Sequence, residues 1–174
     1  GKSSLMRCLC GLQPAISGEI DINGFFVNTM NAEKTAALVS IMLSTPPSLE
    51  LITASEVVFG GRQRFLSAFS FNTAQEDAAV LSALEQSGSF HLASRYFSSL
   101  SDGEKQKIMF SRCLAQDTPV ILMDEPLAFL DYPSRVAMLN MLKEIAKSMG
   151  KIILFSSHDL EISLPFCNQL LILN

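Results

Sequence analysis

Apolar residues at helical spacing open the chain. Leu5, Leu9 and Leu12 follow Gly1-Lys2-Ser3-Ser4 and predict a first helix that ends near Gly11, with its stripe in the core. The stretch "SGEIDINGFFV" then alternates around Asn23-Gly24 and reads as a β-hairpin with a primed turn. "AALVSIML" reads as a buried strand that must stop at Pro46 and Pro47, because tandem prolines forbid further pairing. From about Thr53 to Tyr96 the period is helical. "TASEVVFGG" and "AQEDAAVLSALEQSG" each begin on a Ser/Thr cap or an acidic first turn, which predicts a helical subdomain. Beyond Leu100 come a helix near 102–116, strand "PVILM", a helix at about 133–148, strand "KIILFSS", a short helix after His158 and a last strand "QLLIL". Helices alternating with apolar strands imply an α/β fold with a mostly parallel sheet covered on both faces.

Composition sharpens this picture. The 174 residues fit one domain, or a piece of a larger one. A hydrophobic share of 48% beside only 17% charged residues predicts that apolar surface is hidden against a partner, although no apolar run approaches the ~18 residues of a membrane span. The net charge of -4, with scattered Lys and Arg, argues against nucleic acid as a partner. Cys8, Cys10, Cys113 and Cys167 form no CxxC pair and have no His at metal-ligand spacing, so they read as buried thiols in a reducing cytosol. No signal peptide is legible at the start of the chain.

Four segments carry candidate chemistry. In "PVILMDEP" a buried strand delivers Asp124 and Glu125 to its C-terminal end, where open α/β sheets bind ligands. Asp124 could hold Mg²⁺ through water, and Glu125 could orient or deprotonate an attacking water. In "SSLSDGEKQK", Ser101, Asp102 and Gly103 stand at a helix start that could receive an anion. On this segment alone, Ser101 and Glu104 read first as a capping box. His158 follows an apolar strand, either as a structural residue or as a hydrogen-bond partner of a terminal phosphate. Lys2 and Ser3 match the end of the phosphate-loop consensus, where the lysine meets phosphates and the hydroxyl meets Mg²⁺.

In this order, GKSS, LSDGE, ILMDEP, FLD and a strand ending in SSH, the chain resembles the nucleotide-binding domain of an ABC transporter over essentially its whole length. The resemblance implies a P-loop-type α/β domain over 1–174. A helical subdomain at about 50–116 would be inserted in its core, and the domain would be incomplete within the first motif and at the far end. It implies that Gly1, Lys2, Ser3 and Ser4 end Walker A, that Leu100 to Glu104 are the signature, and that Asp124 is the Walker B aspartate. Glu125 would be the catalytic glutamate, Asp131 the D-loop aspartate and His158 the switch histidine. ATP and Mg are the implied cofactors, with Ser3 and Asp124 on the metal.

The resemblance further implies a head-to-tail homodimer in which Ser101, Asp102, Gly103, Glu104 and Asp131 border nucleotide across the interface. Transmembrane permease subunits would dock on it at the cytoplasmic face of the membrane, and a substrate-binding protein would take part indirectly. "LSDGEKQK", "LAFLDYPSR" and "VVFGGR" resemble the branch that imports iron-siderophore, haem or cobalamin. Three departures stand out. Asp102 and Glu104 replace the usual glycine and glutamine of the signature. Ser44 or Thr45 stands where the family has a glutamine, and a short hydroxyl cannot reach as far toward Mg²⁺ or the membrane subunits. The front of Walker A is absent, so this 174-residue chain is expected to bind ATP poorly. The competing readings are a soluble ABC-type ATPase outside transport, or a fragment unable to bind nucleotide by itself.

Overall fold

The computed structural model describes residues 1–65 and 73–173. The chain divides into two compact units, one built from Gly1–Ser44 and Thr118–Asn174, the other from Thr45–Asp117. One crossing point falls between Ser44 and Thr45, where the sequence lacks the expected glutamine.

The first unit opens on helix α1 (Lys2–Leu9), whose buried residue is Met6. Leu5 and Leu9 are half-buried, while Leu12, expected in the core, lies beyond the helix end and is exposed. A hairpin follows, β1 (Asp21–Ile22) against β2 (Phe25–Phe26). Asn23 and Gly24 both have positive φ (55° and 83°), as the predicted primed turn requires, and the Gly24 N–H donates to Asp21 Oδ1 at 2.7 Å.

Helix α2 (Ala32–Leu38) starts on Asn31, whose side chain accepts from the Lys34 N–H, and strand β3 is only Val39–Met42. The expected strand over "AALVSIML" is therefore too long at its start. Capped by Asn31, the good helix formers up to Leu38 stay helical, and the change comes at β-branched Val39.

Strand β3 pairs in parallel with β4 (Val120–Met123), and β4 with β5 (Ile152–Phe155), in the order β3-β4-β5. All four residues of β4 are buried, Val120 and Leu122 on one face and Ile121 and Met123 on the other. Val39, Val120 and Leu122 form a core cluster on which Leu9, Cys10, Ile22, Leu38, Ile41 and Leu154 pack, so the end of α1 and the hairpin cover that face. Helix α6 (Tyr132–Met149) joins β4 to β5, starts on Asp131 and buries Met138, Leu139, Leu142 and Ile145. Helix α7 (Leu160–Ser163) follows β5.

The predicted last strand is a correction. Residues 169–173 take no strand conformation, and Leu170, Leu171 and Ile172 are exposed. β5 is hydrogen-bonded to β4, and among the described residues no other strand flanks it. An apolar run without a neighbour to satisfy its N–H and C=O groups has no ladder to join.

The second unit packs α3 (Ala54–Phe59), α4 (Thr73–Gln86) and α5 (Asp102–Ala115) on one another. The expected helical stretch includes residues 66–72, which lie outside the described residues. Thr53 and Glu56 form a capping box at α3, and Ser101 and Glu104 form one at α5. At α5 the Ser101 N–H donates to Glu104 Oε2 at 2.8 Å, and Arg95 reaches Glu104 Oε1 at 3.0 Å. Backbone and side-chain hydrogen bonds from Ser101 hold the Glu104 carboxyl below its ordinary 4.5.

Gly61 passes so close to α5 that a Cβ there would run into the Arg112 carbonyl oxygen. Next to it, buried Arg62 pairs with buried Glu76 of α4 and donates to the Ala115 carbonyl at 2.7 Å, closing the three-helix packing with charge. Of the four cysteines only Cys113 is buried. Cys8, Cys10 and Cys167 are half-buried, because they sit on a helix flank or near the chain's ends rather than inside a packed face. Among the described residues no helix is long and apolar enough to cross a membrane.

Two measurements probe this packing. Gly61→Ala forces backbone apart and is expected to cost about 1–3 kcal/mol in urea unfolding. Glu104 has its folded pKa depressed, so its contribution is present above the unfolded value and is lost as pH falls below about 4.5 through the lower folded value. Urea midpoints measured down a pH series should therefore fall more steeply for the wild type than for Glu104→Gln.

Candidate functional site

The register of the parallel sheet builds the site. Met42, Met123 and Phe155 end their strands side by side, and the ladder runs on for one more residue. The Asp124 N–H donates to the Met42 carbonyl at 2.8 Å, and the Ser156 N–H to the Met123 carbonyl at 2.9 Å. Side chains alternate along a strand, so Asp124 and Ser156 continue the face of Val120, Leu122 and Leu154, the face that α1 covers. Asp124 is 3% exposed, and the Ser156 hydroxyl donates to its Oδ1 at 2.8 Å.

Glu125 leaves the sheet in the left-handed region at φ 52°, an uncommon conformation for a side chain other than glycine. It turns the carboxylate toward His158, whose Nε2 lies 2.7 Å from Glu125 Oε1. Lys2 Nζ approaches both imidazole nitrogens, Nδ1 at 3.2 Å and Nε2 at 3.3 Å. Nε2 is already engaged with the carboxylate, so the consistent assignment has Nε2–H donating to Glu125 and Nδ1 accepting from the lysine. Lys2, His158 and Glu125, three residues far apart in sequence, therefore form one chain of polar contacts beside Asp124.

Arg135 on α6 braces the surrounding loops. Its Nε donates to the Leu130 carbonyl at 2.8 Å and its guanidinium reaches Asp159 Oδ2 at 3.2 Å. It thus links the turn before Asp131 to the loop after His158. Asp131 itself caps α6, accepting from the Ser134 N–H at 3.1 Å. Gly1 is the N-cap of α1, its carbonyl accepting from the Leu5 N–H at 3.0 Å, and Ser3 and Ser4 are exposed in the first turn. The helix start, with its unsatisfied N–H groups and Lys2, favours an anion.

Leu100, Ser101, Asp102, Gly103 and Glu104 belong to the second unit. There the structure shows the capping-box arrangement, with Asp102 exposed and 3.6 Å from Lys105 Nζ. Ser156 and Arg135 are residues that sequence reasoning missed. The signal for Ser156 was available in principle, since aligning "ILMD" with "ILFS" as adjacent parallel strands sets it opposite Asp124. Arg135 had only its place four residues after the cap Asp131.

Chemically, the first unit offers a cation and a helix start for an anion. It also offers hard oxygen ligands for a divalent ion, and a carboxylate held by an imidazole where a water can be polarised.

Comparisons with known proteins identify relatives of the chain. The family model described as ABC transporter matches residues 1–128. The chain is 31% identical over 170 residues to the achromobactin transport ATP-binding protein CbrD of Dickeya dadantii, covering 98% of this chain and 63% of that protein. It is 31% identical over 180 residues to the hemin import ATP-binding protein HmuV of Bordetella avium, covering 99% of this chain and 68% of that one. Among solved structures, the dimeric structure of MJ0796, a bacterial ABC transporter cassette, superposes with a TM-score of 0.82 at 23% identity, covering 95% of this chain and 73% of that chain, which supports the fold. The family model over residues 1–128 and the 31% identity to a relative covered over 68% of its length lead to one conclusion: this chain belongs to the ABC transporter family.

Proposed function

We propose that the protein to which this chain belongs is the ATP-binding and hydrolysing subunit of an importer for a metal chelate of the iron-siderophore, haem or cobalamin class. The observation that carries the reading is the polar chain from Lys2 through His158 to Glu125 beside buried Asp124. The substrate class rests on the relatives named above, an achromobactin transporter subunit and a hemin importer subunit.

Each site residue has a task in this reading. Lys2 and the N–H groups at the start of α1 bind the β- and γ-phosphates of ATP, and Gly1, Ser3 and Ser4 complete that turn. The donor set suits Mg²⁺, since a buried aspartate and a serine hydroxyl are hard oxygen ligands; Asp124 and Ser3 would hold it. When bound, Mg²⁺ neutralises charge developing on the phosphates. Glu125 orients a water and takes up its proton, and His158 keeps the carboxylate aimed through its Nε2–H, the same donor that would turn to the terminal phosphate if it left Glu125.

Ser101, Asp102, Gly103, Glu104 and Asp131 serve the nucleotide of a second copy in a head-to-tail homodimer. The dimeric structure of the MJ0796 cassette, a relative in fold, supports this assembly. Permease subunits at the cytoplasmic face of the membrane would receive the dimer's closure, with a substrate-binding protein on the far side.

Glu125→Gln in the full-length protein is expected to lower ATP turnover by about a hundredfold or more while ATP-dependent dimers still form, because the lost proton acceptor serves the chemical step and not binding. Phosphate release and size-exclusion chromatography measure the two effects. Unchanged turnover in this variant would remove Glu125 from the reaction.

A further inference from the structure

We infer that Ser156 is a positioning residue for ATP hydrolysis, one hydroxyl that fixes both acidic residues of the site at once. The Ser156 side chain is 5% exposed. Its hydroxyl hydrogen goes to Asp124 Oδ1 at 2.8 Å, and its oxygen accepts the Glu125 N–H at 2.9 Å. A serine hydroxyl has one proton to give and lone pairs to receive, so the two bonds are compatible and use the group in both capacities.

The position matters because of the backbone it holds. Glu125 stands at φ 52°, and such a left-handed residue persists only where its surroundings over-determine it. With the Asp124 N–H bound to Met42 and the Ser156 N–H bound to Met123, the sheet ladder ends there. The next N–H, that of Glu125, is caught by the Ser156 side chain. The serine thus replaces the ladder where the backbone turns, and it sets the direction from which the Glu125 carboxylate reaches His158. It also constrains rotation of the Asp124 carboxylate by occupying Oδ1. Ser157, the next residue, bonds to the Asp159 N–H and carbonyl and accepts from the Ser163 hydroxyl of α7, with no bond to Asp124 or Glu125, and so is not equivalent.

This inference rests on the reading of Asp124 as metal-holding and Glu125 as the catalytic carboxylate. Its consequence is a loss in the chemical step with little loss in nucleotide affinity, since Lys2 and the start of α1 do the binding.

The test compares Ser156→Ala, Ser156→Thr and Glu125→Gln with wild type in the full-length protein. Turnover and KM for ATP are measured, together with amide hydrogen exchange in the absence of nucleotide. For Ser156→Ala we expect kcat to fall about ten- to a hundredfold, the loss typical of a misplaced reacting group, with KM within about twofold. Exchange should quicken at the Glu125 amide while the Asp124 amide stays protected by Met42. Ser156→Thr keeps the hydroxyl and should restore most of the turnover and the Glu125 protection.

Wild-type kcat and wild-type Glu125 exchange in Ser156→Ala would overturn the inference. So would equal loss of kcat in the Ala and Thr variants with exchange at Glu125 unchanged. If the alanine variant fails to fold, Ser156→Cys, of similar size with a weak donor, takes its place under the same criteria. A Glu125→Gln variant that still turns over ATP marks failure of the underlying functional reading, whereas an inactive Glu125→Gln beside a normal Ser156→Ala marks failure of this inference alone.

Discussion

Parallel pairing of three short strands is the constraint on which the site in the first unit depends. The four residues of β4 are buried on both faces, so slipping the register by one residue would turn Asp124 away from α1 and set an apolar side chain in its place. Burial makes that slip costly. Because the three strands end level, the first residue past each end inherits a fixed place, and for β4 and β5 those residues are Asp124 and Ser156. The polar chemistry of the first unit is therefore laid out by an apolar core.

What happens one residue later is local and strained. Glu125 abandons the strand conformation and Pro126, which has no N–H to offer, follows it, so continuation of the ladder is blocked twice. A left-handed residue at a sheet end is tolerated when its polar groups find other partners, and Glu125 has them, with Ser156 on its N–H and His158 on its carboxylate. Arg135 adds a second brace between the loops that carry Asp131 and His158. The conformation is thus shared among several weak bonds rather than imposed by one.

Legibility in the sequence followed the physics of each element. Asn23-Gly24, the caps at Thr53 and Ser101, and the helices after Asp102 and Asp131 were readable because local chemistry alone decides them. The boundary at Leu38–Val39 was misread because apolar residues run unbroken through the end of α2 and the start of β3, and hydrophobicity alone does not distinguish a helix end from a strand. "QLLIL" failed for a different reason, since a strand is a property of a pair and the sequence of one segment does not say whether a neighbour is present. Asp124, Glu125, His158 and Lys2 were legible as separate motifs, yet their contact was not, because it depends on how far α1 and the loop after β5 are carried by the sheet. The Arg62–Glu76 pair is a case of the same kind, two charges fourteen residues apart that nothing local marks as partners.

The altered signature sequence illustrates how a departure from a family pattern can be absorbed. Glutamic acid in place of glutamine at position 104 adds charge where phosphate recognition is proposed, which at first sight opposes function. In the folded chain that carboxylate is turned to the backbone N–H and hydroxyl of Ser101 and to the guanidinium of Arg95, with its pKa held low by those donors. A carboxylate accepts such bonds more strongly than an amide oxygen. The charge is thereby spent on fixing the start of α5 and balanced by an arginine of the same unit. Asp102, exposed beside Lys105, is partly offset in the same way. The start of α5 thus keeps a fixed backbone, and the extra negative charge is countered by neighbouring cations of the same unit.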